Sequence, residues 1–420
     1  MQEFCVRGVG PLKGTLRVQG AKNSVLPLLA ASLLCGDKTV TLTDVPYLSD
    51  VDVSVNLLTT LGCRVERQGH TLQVDATAAA PTVLGEELCC RMRSSVLYLG
   101  PLLGRFGKAQ LSYPGGCVLG ERPIDLHISA LEQMGAQFKC TDDTLSAYCP
   151  RGLQGAEIHL RYPSVGATEN ILMAASLAKG ETVLYNRAVE PEIDDLIELL
   201  TFMGANIRRE NDCVKIQGVS SLRGCTKAVM PDRIAAYTLL AAALATDGKI
   251  TLENCPVRAL GAPLEVLAAA GGALCRQGQT LTVRRAGPFI LPVEQIVSGP
   301  FPAFPTDAGA ITLAMLSLAQ GESTFEETVF SDRFKVVSQL QNMGADISLA
   351  GNCAHIYGVP KLTGARVQAT DLRAGAALLV AALAAEGESV ISGAEYIKRG
   401  YELVIPTFRE LGAEITERSE

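Results

Sequence analysis

Leu340-Gln-Asn-Met-Gly344 shows a pattern that occurs six times along the chain: an apolar residue, three further residues and glycine. The copies are spaced 67 to 73 residues apart. The other five are Leu58-Thr-Thr-Leu-Gly62, Leu131-Glu-Gln-Met-Gly135, Leu200-Thr-Phe-Met-Gly204, Leu267-Ala-Ala-Ala-Gly271 and Phe408-Arg-Glu-Leu-Gly412. Each copy predicts the end of an amphipathic helix, with glycine in the left-handed conformation just past it. An alternating strand follows, as in Ala345-Asp-Ile-Ser-Leu349.

A second pattern lies between these copies. It is a helix rich in alanine and leucine, and its copies end at Gly36, Gly107, Gly180, Gly248, Gly321 and Gly387. These helices are apolar almost all round, which predicts that they are buried. A short strand comes next, such as Thr39 to Leu42. Each repeat is therefore predicted to run βαβαββ, and the fold class is α/β.

A third pattern has the form V-x-G-(x)-L-x-G. It begins at Ile216, at Ile356 and, near the start of the chain, at Val6. The last repeat, which ends at Ala413-Glu-Ile-Thr416, lacks it. We therefore expect the N-terminal segment to form a hairpin that completes the sixth repeat. Two domains of three repeats follow, one of residues 22–229 and one of residues 1–21 with 230–420.

Composition narrows the class of protein. The chain has 420 residues, of which 48% are hydrophobic and 19% charged, and its net charge of −7 gives no basic field for nucleic acid. Met1 to Gly20 has no apolar run of signal-peptide length, and Ile311 to Leu318 is too short to cross a bilayer. These features predict a cytoplasmic protein without nucleic-acid or membrane partners.

Cysteine and histidine usage argues against metal and hydrolase chemistry. No CxxC or paired Cys/His spacing occurs among the 13 cysteines, so no metal site is expected. Twelve of the 13 are expected to be small buried side chains in a reducing compartment. Four histidines give little support to a Ser-His-Asp hydrolase.

The starts of the apolar helices carry an unexpected set of polar residues. They are Lys22 and Asn23, Arg91 to Ser95, Ser164 to Asn170, Asp232 and Arg233, Thr306 and Asp307, and Thr370 to Arg373. Ser164, Thr306 and Thr370 fit ordinary helix caps. Cations are unfavourable at a helix N-terminus, so Lys22, Arg93, Arg233 and Arg373 predict an anionic ligand. Neither a P-loop nor a Rossmann fingerprint is present.

The segment from Pro114 to His127, PGGCVLGERPIDLH, contains a cysteine among three glycines. Glycines make such a loop mobile. Arg122 lies five residues after Cys117, and a nearby cation lowers the pKa of a thiol. Cys117 is therefore the candidate reactive cysteine.

Together these segments resemble those of the UDP-N-acetylglucosamine 1-carboxyvinyltransferases, also called UDP-N-acetylglucosamine enolpyruvyl transferases, over the whole chain. The matching motifs are Gly20-Ala-Lys-Asn-Ser-Val-Leu-Pro27, Met92-Arg-Ser-Ser-Val96, residues 114–127, Pro163-Ser-Val-Gly-Ala-Thr-Glu-Asn170, Glu190-Pro-Glu-Ile193, Pro231-Asp-Arg-Ile234, Phe304-Pro-Thr-Asp307, Thr328-Val-Phe330, Ala369-Thr-Asp-Leu-Arg-Ala-Gly375 and Arg399-Gly-Tyr401. The resemblance implies an inside-out α/β barrel of two three-repeat domains. It also implies a transferase that moves the enolpyruvyl group of phosphoenolpyruvate to a UDP-amino sugar, the first committed step of peptidoglycan precursor synthesis.

The resemblance also implies the site. The implied catalytic residues are Cys117, Asp307, Lys22 and Arg399, with Asp307 taking the proton of the 3′-hydroxyl and Cys117 protonating carbon or assisting phosphate departure. The implied substrate-binding residues are Asn23, Arg93, Arg122, Pro123, Ile124, Asp125, Leu126, Ser164, Val165, Gly166, Asp232, Val329, Phe330, Asp371 and Arg373. No cofactor is implied, the partners are two small-molecule substrates, and a monomer is expected. We expect Asp307→Ala to abolish turnover and leave folding intact.

The second half departs from the family pattern beside these motifs. Ala235 stands where the family has Glu, Ala308-Gly309 where it has Met-Gln, Ser331-Asp332 where it has Glu-Asn, and Lys398 where it has Asp. The histidine that usually follows Arg-Phe is also absent from Arg333-Phe-Lys-Val-Val337. Two alternatives therefore stay open: a non-catalytic paralogue that binds a UDP-sugar and regulates, and 5-enolpyruvylshikimate-3-phosphate synthase. The latter lacks the cysteine loop and prefers Gly-Ser-Lys where Gly20-Ala-Lys22 stands.

Overall fold

The structure is a computed structural model, and it describes residues 2–115, 124–141 and 143–419. In chain order the strands are β1 (Gln2–Arg7), β2 (Lys13–Arg17), β3 (Thr39–Thr43), β4 (Arg64–Gln68), β5 (Thr71–Asp75), β6 (Lys108–Ser112), β7 (Gln137–Cys140), β8 (Thr144–Tyr148), β9 (Glu157–His159), β10 (Glu181–Tyr185), β11 (Asn206–Arg209), β12 (Cys213–Gln217), β13 (Thr226–Ala228), β14 (Lys249–Glu253), β15 (Gly272–Gln277), β16 (Thr280–Arg285), β17 (Gln295–Val297), β18 (Glu322–Glu326), β19 (Asp346–Ala350), β20 (Cys353–Tyr357), β21 (Arg366–Gln368), β22 (Glu388–Ser392) and β23 (Glu414–Ser419).

The helices alternate with these strands. They are α1 (Lys22–Ser32), α2 (Ser49–Thr60), α3 (Glu86–Cys89), α4 (Leu99–Phe106), α5 (Asp125–Gln133), α6 (Val165–Ala175), α7 (Pro191–Phe202), α8 (Arg233–Ala245), α9 (Val257–Leu260), α10 (Ala262–Ala269), α11 (Thr306–Leu316), α12 (Val337–Asn342), α13 (Leu372–Ala384), α14 (Ala394–Ile397) and α15 (Val404–Glu410). Two 3₁₀ helices, Arg93–Tyr98 and Ser331–Val336, precede α4 and α12.

The six repeated glycines end six helices as the pattern predicts. The residues Gly62, Gly135, Gly204, Gly271, Gly344 and Gly412 have φ between 86° and 101°. Each lies two residues past the end of a helix, from α2 to α15. A side chain at this φ is strained, so the repeated glycine reflects the geometry of the helix end.

The chain divides into two compact units, one of residues 2–19 and 231–419 and one of the described residues between 20 and 230. In the first unit the sheets have the orders β21-β22-β1-β23, β15-β16-β14-β2 and β17-β18-β20-β19. In the second they are β11-β12-β10-β9, β13-β3-β5-β4 and β6-β8-β7. We propose that these units correspond to the two domains of three repeats.

The N-terminal strand completes the sheet of the sixth repeat. Strand β1 lies between β22 and β23 and is antiparallel to both, so that Phe4 faces Ile391 on one side and Glu417 on the other. The expected hairpin, however, is wrong. Strand β2 leaves this sheet and pairs in parallel with β14 in another sheet. The V-x-G pattern therefore passes the chain from one sheet to the next.

The glycine of this pattern is required by a close approach to a helix end. A Cβ on Gly218 would lie 1.7 Å from the carbonyl oxygen of Ala178, and one on Gly358 would lie 1.5 Å from that of Ala319. Gly8 has the same relation to Ala385, at 2.2 Å. After each crossing the chain enters a neighbouring sheet in parallel, as β13 beside β3, β21 beside β22 and β2 beside β14. These crossings of the chain link the sheets within each unit.

The apolar helices form the core. In the first unit α8, α11 and α13 pack against one another, and nearly all of their side chains are buried. Alanine lets the helices approach closely, and each buried leucine contributes about 1.5–3 kcal/mol. Two pairs of hydroxyl groups in this core bond to each other, Tyr237 with Thr312 at 2.6 Å and Thr238 with Tyr401 at 2.8 Å. The polar starts of these helices are thereby held on a rigid support.

Candidate active site

In the second unit, the start of α1 holds Lys22 and Asn23. The Lys22 ammonium lies 2.7 Å from the carboxylate of Asp50, which is buried in the first turn of α2. Asn23 is exposed at the same helix start. No side chain caps α1. The residue before the helix, Ala21, is held by a backbone hydrogen bond from its N–H to the carbonyl of Met230. Tertiary contacts therefore fix the direction of Lys22.

A buried ion pair between Asp195 and Lys227 contacts the start of α1. Asp195 in α7 accepts hydrogen bonds from the Ser24 hydroxyl and, at 3.2 Å, from the backbone N–H of Met230. The ammonium of Lys227 lies 2.7 Å from the other Asp195 oxygen and 2.6 Å from Glu198. Burial lowers the pKa of Lys227, but the two carboxylates outweigh it and the pKa is raised overall.

A second cluster of polar side chains in this unit is centred on His127 and Asn170. The Asn170 carbonyl accepts from the N–H of Gly100 at 2.7 Å, and its amide nitrogen donates to the carbonyl of Val96 at 3.0 Å. The same nitrogen therefore donates to Nδ1 of His127, 2.7 Å away. Burial, then the charge of Arg93, lowers the pKa of His127 to about 4. The ring is neutral, and Nε2 carries its proton.

The predicted residues around this pair are supplied by three helices. Arg93 begins the 3₁₀ helix and donates to the carbonyl of Pro114 at 3.3 Å. Ser164 is the N-cap of α6, where its hydroxyl accepts from Ala167 N–H at 3.4 Å. Asp125 begins α5 and forms an ion pair with Arg161. The remaining predicted residues in these segments are Ile124 before α5, Leu126 within it, and Val165 and Gly166 in the first turn of α6.

Glu169 is a buried acid in α6 that was not among the predicted site residues. Burial raises the pKa of its carboxyl well above the usual value, and Glu192 and Glu190 raise it further. The motifs that carry these three glutamates are among the segments that resemble the family.

In the first unit, the carboxylate of Asp307 lies between two arginines at the start of α11. One Asp307 oxygen is 2.6 Å from Nη2 of Arg333, and the other is 2.7 Å from Nη2 of Arg373. Both guanidinium groups are almost fully buried. Burial lowers the pKa of Arg373, but the charges of Asp307, Tyr401 and Asp232 together outweigh it and raise the pKa overall. The carboxylate of Asp307 thus has two buried cationic partners.

The other predicted residues of this unit lie close in sequence to the same helix starts. Asp232 and Asp371 are N-caps, and each accepts hydrogen bonds from two backbone N–H groups at the start of α8 or α13. Val329 and Phe330 follow β18, and Arg399 lies in the turn after α14. The ring of Phe330 has the Arg333 guanidinium 5.3 Å from its centroid. Sequence reasoning missed Arg333 as a site residue, although it lies in a motif compared with the family.

The departures from the family pattern lie mainly in the core. Ala235 and Ala308 are buried, and a Cβ on Gly309 would lie 2.7 Å from the ring of Phe325. Phe325 belongs to a series of edge-to-face rings with Phe304 and Phe334. Lys398 forms an ion pair with Glu417 at 2.5 Å. The small residues Ala235, Ala308 and Gly309 thus lie at packed positions of the core.

Cys117, Arg122 and Pro123 lie outside the described residues. Of the other cysteines, Cys63 and Cys255 have their pKa raised to about 12 by burial. The expectation that all twelve are buried is wrong for five of them: Cys90, Cys140 and Cys275 are exposed, and Cys225 and Cys353 are half-buried. Cys140 and Cys275 belong to β7 and β15, which are edge strands, so their side chains can face solvent.

Within residues 2–115, 124–141 and 143–419, no group of histidine, cysteine and carboxylate side chains is arranged to hold a metal ion. In the same described part of the chain, no helix has the length and hydropathy needed to cross a membrane.

Comparison with known proteins defines the family. The family described as EPSP synthase (3-phosphoshikimate 1-carboxyvinyltransferase) matches residues 6–408. A UDP-N-acetylglucosamine 1-carboxyvinyltransferase from Lawsonia intracellularis is 43% identical over 100% of both chains. One from Oleidesulfovibrio alaskensis is 45% identical over 99% of both.

Solved structures show the same fold at lower identity. The enolpyruvyl transferase NikO from Streptomyces tendae has a TM-score of 0.91 at 23% identity and covers 100% of this chain, which covers 99% of NikO. An EPSP synthase from Acinetobacter baumannii has a TM-score of 0.73 at 20% identity, with 99% of this chain and 100% of that chain covered. The enolpyruvyl transferase fold that the resemblance implied is thereby confirmed. The protein is a transferase, and its chain belongs to the UDP-N-acetylglucosamine 1-carboxyvinyltransferases of the EPSP synthase family.

Proposed function

We propose that the protein transfers the enolpyruvyl group of phosphoenolpyruvate to the 3′-hydroxyl of UDP-N-acetylglucosamine and releases phosphate. This would be the first committed step of peptidoglycan precursor synthesis. The structural observation that carries the proposal is Asp307, whose carboxylate is held between the guanidinium groups of Arg333 and Arg373. An oriented carboxylate is what removal of a hydroxyl proton requires. The full-length likeness to the named relatives supports the choice of substrates.

The proposed reaction has an addition and an elimination. In the addition, Asp307 takes the 3′-hydroxyl proton, the oxygen bonds to C2 of phosphoenolpyruvate, and Cys117 gives a proton to C3. In the elimination, the Cys117 thiolate takes a proton from C3, the double bond re-forms, and the C2–O bond breaks as the departing phosphate accepts the proton held by Asp307. Lys22, Arg93, Arg122 and Arg399 would neutralise the phosphate and carboxylate of phosphoenolpyruvate. The buried Asp50 orients the Lys22 ammonium.

The remaining predicted residues would recognise the sugar nucleotide. Asn23, Asp232, Phe330, Asp371 and Arg373 would contact the sugar or support its contacts, and Arg122 to Leu126, Ser164 to Gly166 and Val329 would bind the uridine and diphosphate. We propose a cytoplasmic monomer that uses these two small molecules and has no nucleic-acid or membrane partner. Its product would serve cell-wall synthesis, and therefore cell shape and division.

The test is phosphate release on mixing the protein with phosphoenolpyruvate and UDP-N-acetylglucosamine. Release that depends on both substrates supports the proposal. Binding of the sugar nucleotide without release favours the regulatory paralogue. Release with shikimate 3-phosphate instead favours 5-enolpyruvylshikimate-3-phosphate synthase. Because Ala235, Ala308 and Gly309 are accommodated in the core, we expect these departures to leave turnover in place.

Cys117 provides a second test, by alkylation with fosfomycin. This phosphonate epoxide should label Cys117, because its phosphonate would occupy the phosphate site. Labelling should be faster when the sugar nucleotide is bound, because that would bring the thiol to the same anion site. The exposed Cys90, Cys140 and Cys275 are internal controls in peptide mass mapping, since a non-selective reagent would label them first. Cys117→Asp should resist the drug and retain some turnover. Equal labelling of all four cysteines would remove Cys117 from the proposed mechanism.

A further inference from the structure

Glu327 is a buried glutamate that follows β18 and is assigned no role in the proposed reaction. Only 4% of its surface is exposed. Both carboxylate oxygens accept hydrogen bonds, and the bonding groups belong to separate segments of the chain. A buried carboxylate is stabilised only when such donors surround it.

One oxygen of Glu327 holds the turn that follows β18. Oε1 accepts from the backbone N–H of Val329 at 2.7 Å and from that of Phe330 at 3.1 Å. It also accepts from the Ser298 hydroxyl at 2.8 Å. The turn is therefore folded around this single oxygen. Val329 and Phe330 are the residues of this turn proposed to bind the sugar nucleotide.

The other oxygen reaches the start of α11. Oε2 accepts from the hydroxyl of Thr306 at 2.6 Å. The same hydroxyl accepts from Nε of Arg333 at 3.1 Å. Nη2 of Arg333 in turn donates to Asp307 at 2.6 Å. Hydrogen bonds of the Thr306 hydroxyl and the Arg333 guanidinium thus connect the carboxylate of Glu327 to that of Asp307.

From these contacts we propose that Glu327 is a positioning residue for the acceptor, the sugar nucleotide. It fixes the turn of Val329 and Phe330 relative to the carboxylate of Asp307. The Arg333 guanidinium completes the connection, because it donates to Asp307 and lies over the ring of Phe330. The inference rests on the proposed function, since it assigns Glu327 to the sugar side of that same site.

Glu327→Gln tests the proposal because it keeps the size of the side chain. If its oxygen stays on the N–H groups of Val329 and Phe330, its NH₂ faces the Thr306 hydroxyl. That hydroxyl must then accept from the amide as well as from Arg333, and the negative charge near the buried guanidinium is lost. We expect KM and Kd for UDP-N-acetylglucosamine to rise about tenfold. The KM for phosphoenolpyruvate should change less than about twofold, because the groups proposed to bind it are not in this network.

Glu326→Gln is the matched control. Glu326 is the neighbouring residue, at the end of β18, and its carboxylate accepts a 3.3 Å hydrogen bond from Asn352. This variant removes the same charge without touching Thr306 or the turn, and its constants should equal those of the wild type. Thr306→Val removes the connecting hydroxyl, whereas Thr306→Ser keeps it. The first should reproduce the weaker binding of Glu327→Gln, and the second should restore wild-type binding.

Kinetics and calorimetric titration of UDP-N-acetylglucosamine decide between the outcomes. Unchanged affinity for the sugar nucleotide in Glu327→Gln, or an equal rise in both KM values, overturns the positioning role. If Glu327→Gln does not fold, the Thr306 pair decides in the same way. A wild-type protein that binds the sugar nucleotide but releases no phosphate contradicts the proposed function, and the calorimetric result still judges the role of Glu327.

Discussion

At the scale of single residues, the site depends on charges that are held by partners far away in sequence. Asp307 is paired with Arg333 and Arg373, which are 26 and 66 residues further along the chain. The expectation that Asp307→Ala leaves folding intact does not fit this geometry. Removing the carboxylate leaves two buried guanidinium groups without their shared partner, and such a loss costs about 3–5 kcal/mol.

We therefore expect Asp307→Asn to lose both turnover and stability. Turnover should fall by a factor of about 10²–10⁴, because an amide cannot accept the hydroxyl proton. The melting temperature should fall as well, since the amide can accept from one arginine but presents its NH₂ to the other. Phosphate release and thermal unfolding measure the two effects. Asp346→Asn, at an exposed position in β19, is the control and should change neither. Wild-type stability in Asp307→Asn would show that the arginine pairing contributes little.

His127 makes a second prediction, about pH. Its pKa is about 4 in the folded protein against an ordinary value of 6.5, so between these values the unfolded chain binds more protons. The free energy of unfolding should fall as the pH is lowered from about 6.5 to 4, by about 3 kcal/mol in total. The stability that His127 contributes is thus fully present above pH 6.5.

His127→Asn should remove this part of the pH dependence, because an Asn oxygen can still accept from Asn170 and does not titrate. The measurement is urea unfolding of both proteins at a series of pH values. The slope of stability against pH decides, whatever the absolute stability of the variant. Equal slopes between pH 4 and 6.5 would contradict a neutral, buried imidazole.

At the scale of helices and strands, packing against Phe325 explains why glycine stands at position 309, where the family has Gln. In α11, a Cβ at this position would lie 2.7 Å from the ring of Phe325. Gly309→Ala should therefore destabilise the protein by about 1–3 kcal/mol. The cost should shrink when Phe325→Leu makes room, so a double-mutant cycle should give a favourable coupling between the two changes. Additive effects in chemical denaturation would mean that Phe325 does not limit position 309.

The sequence predicts local structure well and tertiary partners poorly. Gly344 and its five counterparts predict helix ends, because a left-handed residue depends only on its own φ and ψ. The arrangement of β1 and β2 in different sheets was missed, since the same glycine pattern suits a hairpin or a crossing. Likewise, nothing local to Glu327 shows that its carboxylate reaches Thr306, since that contact arises when β18 and α11 pack.

At the scale of the whole molecule, the first unit combines residues from both ends of the sequence. A fragment of residues 231–420 would lack β1 and β2, which leaves the edges of β22, β23 and β14 open. We expect this fragment to unfold without cooperativity when alone. A peptide of residues 1–19 should restore a cooperative transition, because it supplies Phe4 and Val6 to the core. Circular dichroism during heating measures this, and a Phe4→Asp peptide is the control. A cooperative transition without peptide would show that β1 is dispensable.

The pairing of β1 with β23 also has a consequence for folding during translation. Because Phe4 pairs with Glu417, β1 cannot complete its sheet until β23 has been synthesised about 400 residues later. At about 5–20 residues per second, that delay is roughly 20–80 s. The second unit can fold during this time, whereas the apolar residues of β1 have no sheet to join. Nascent chains stalled before β22 should therefore expose β1 to chaperones and to cross-linking, and completion of translation should bury it.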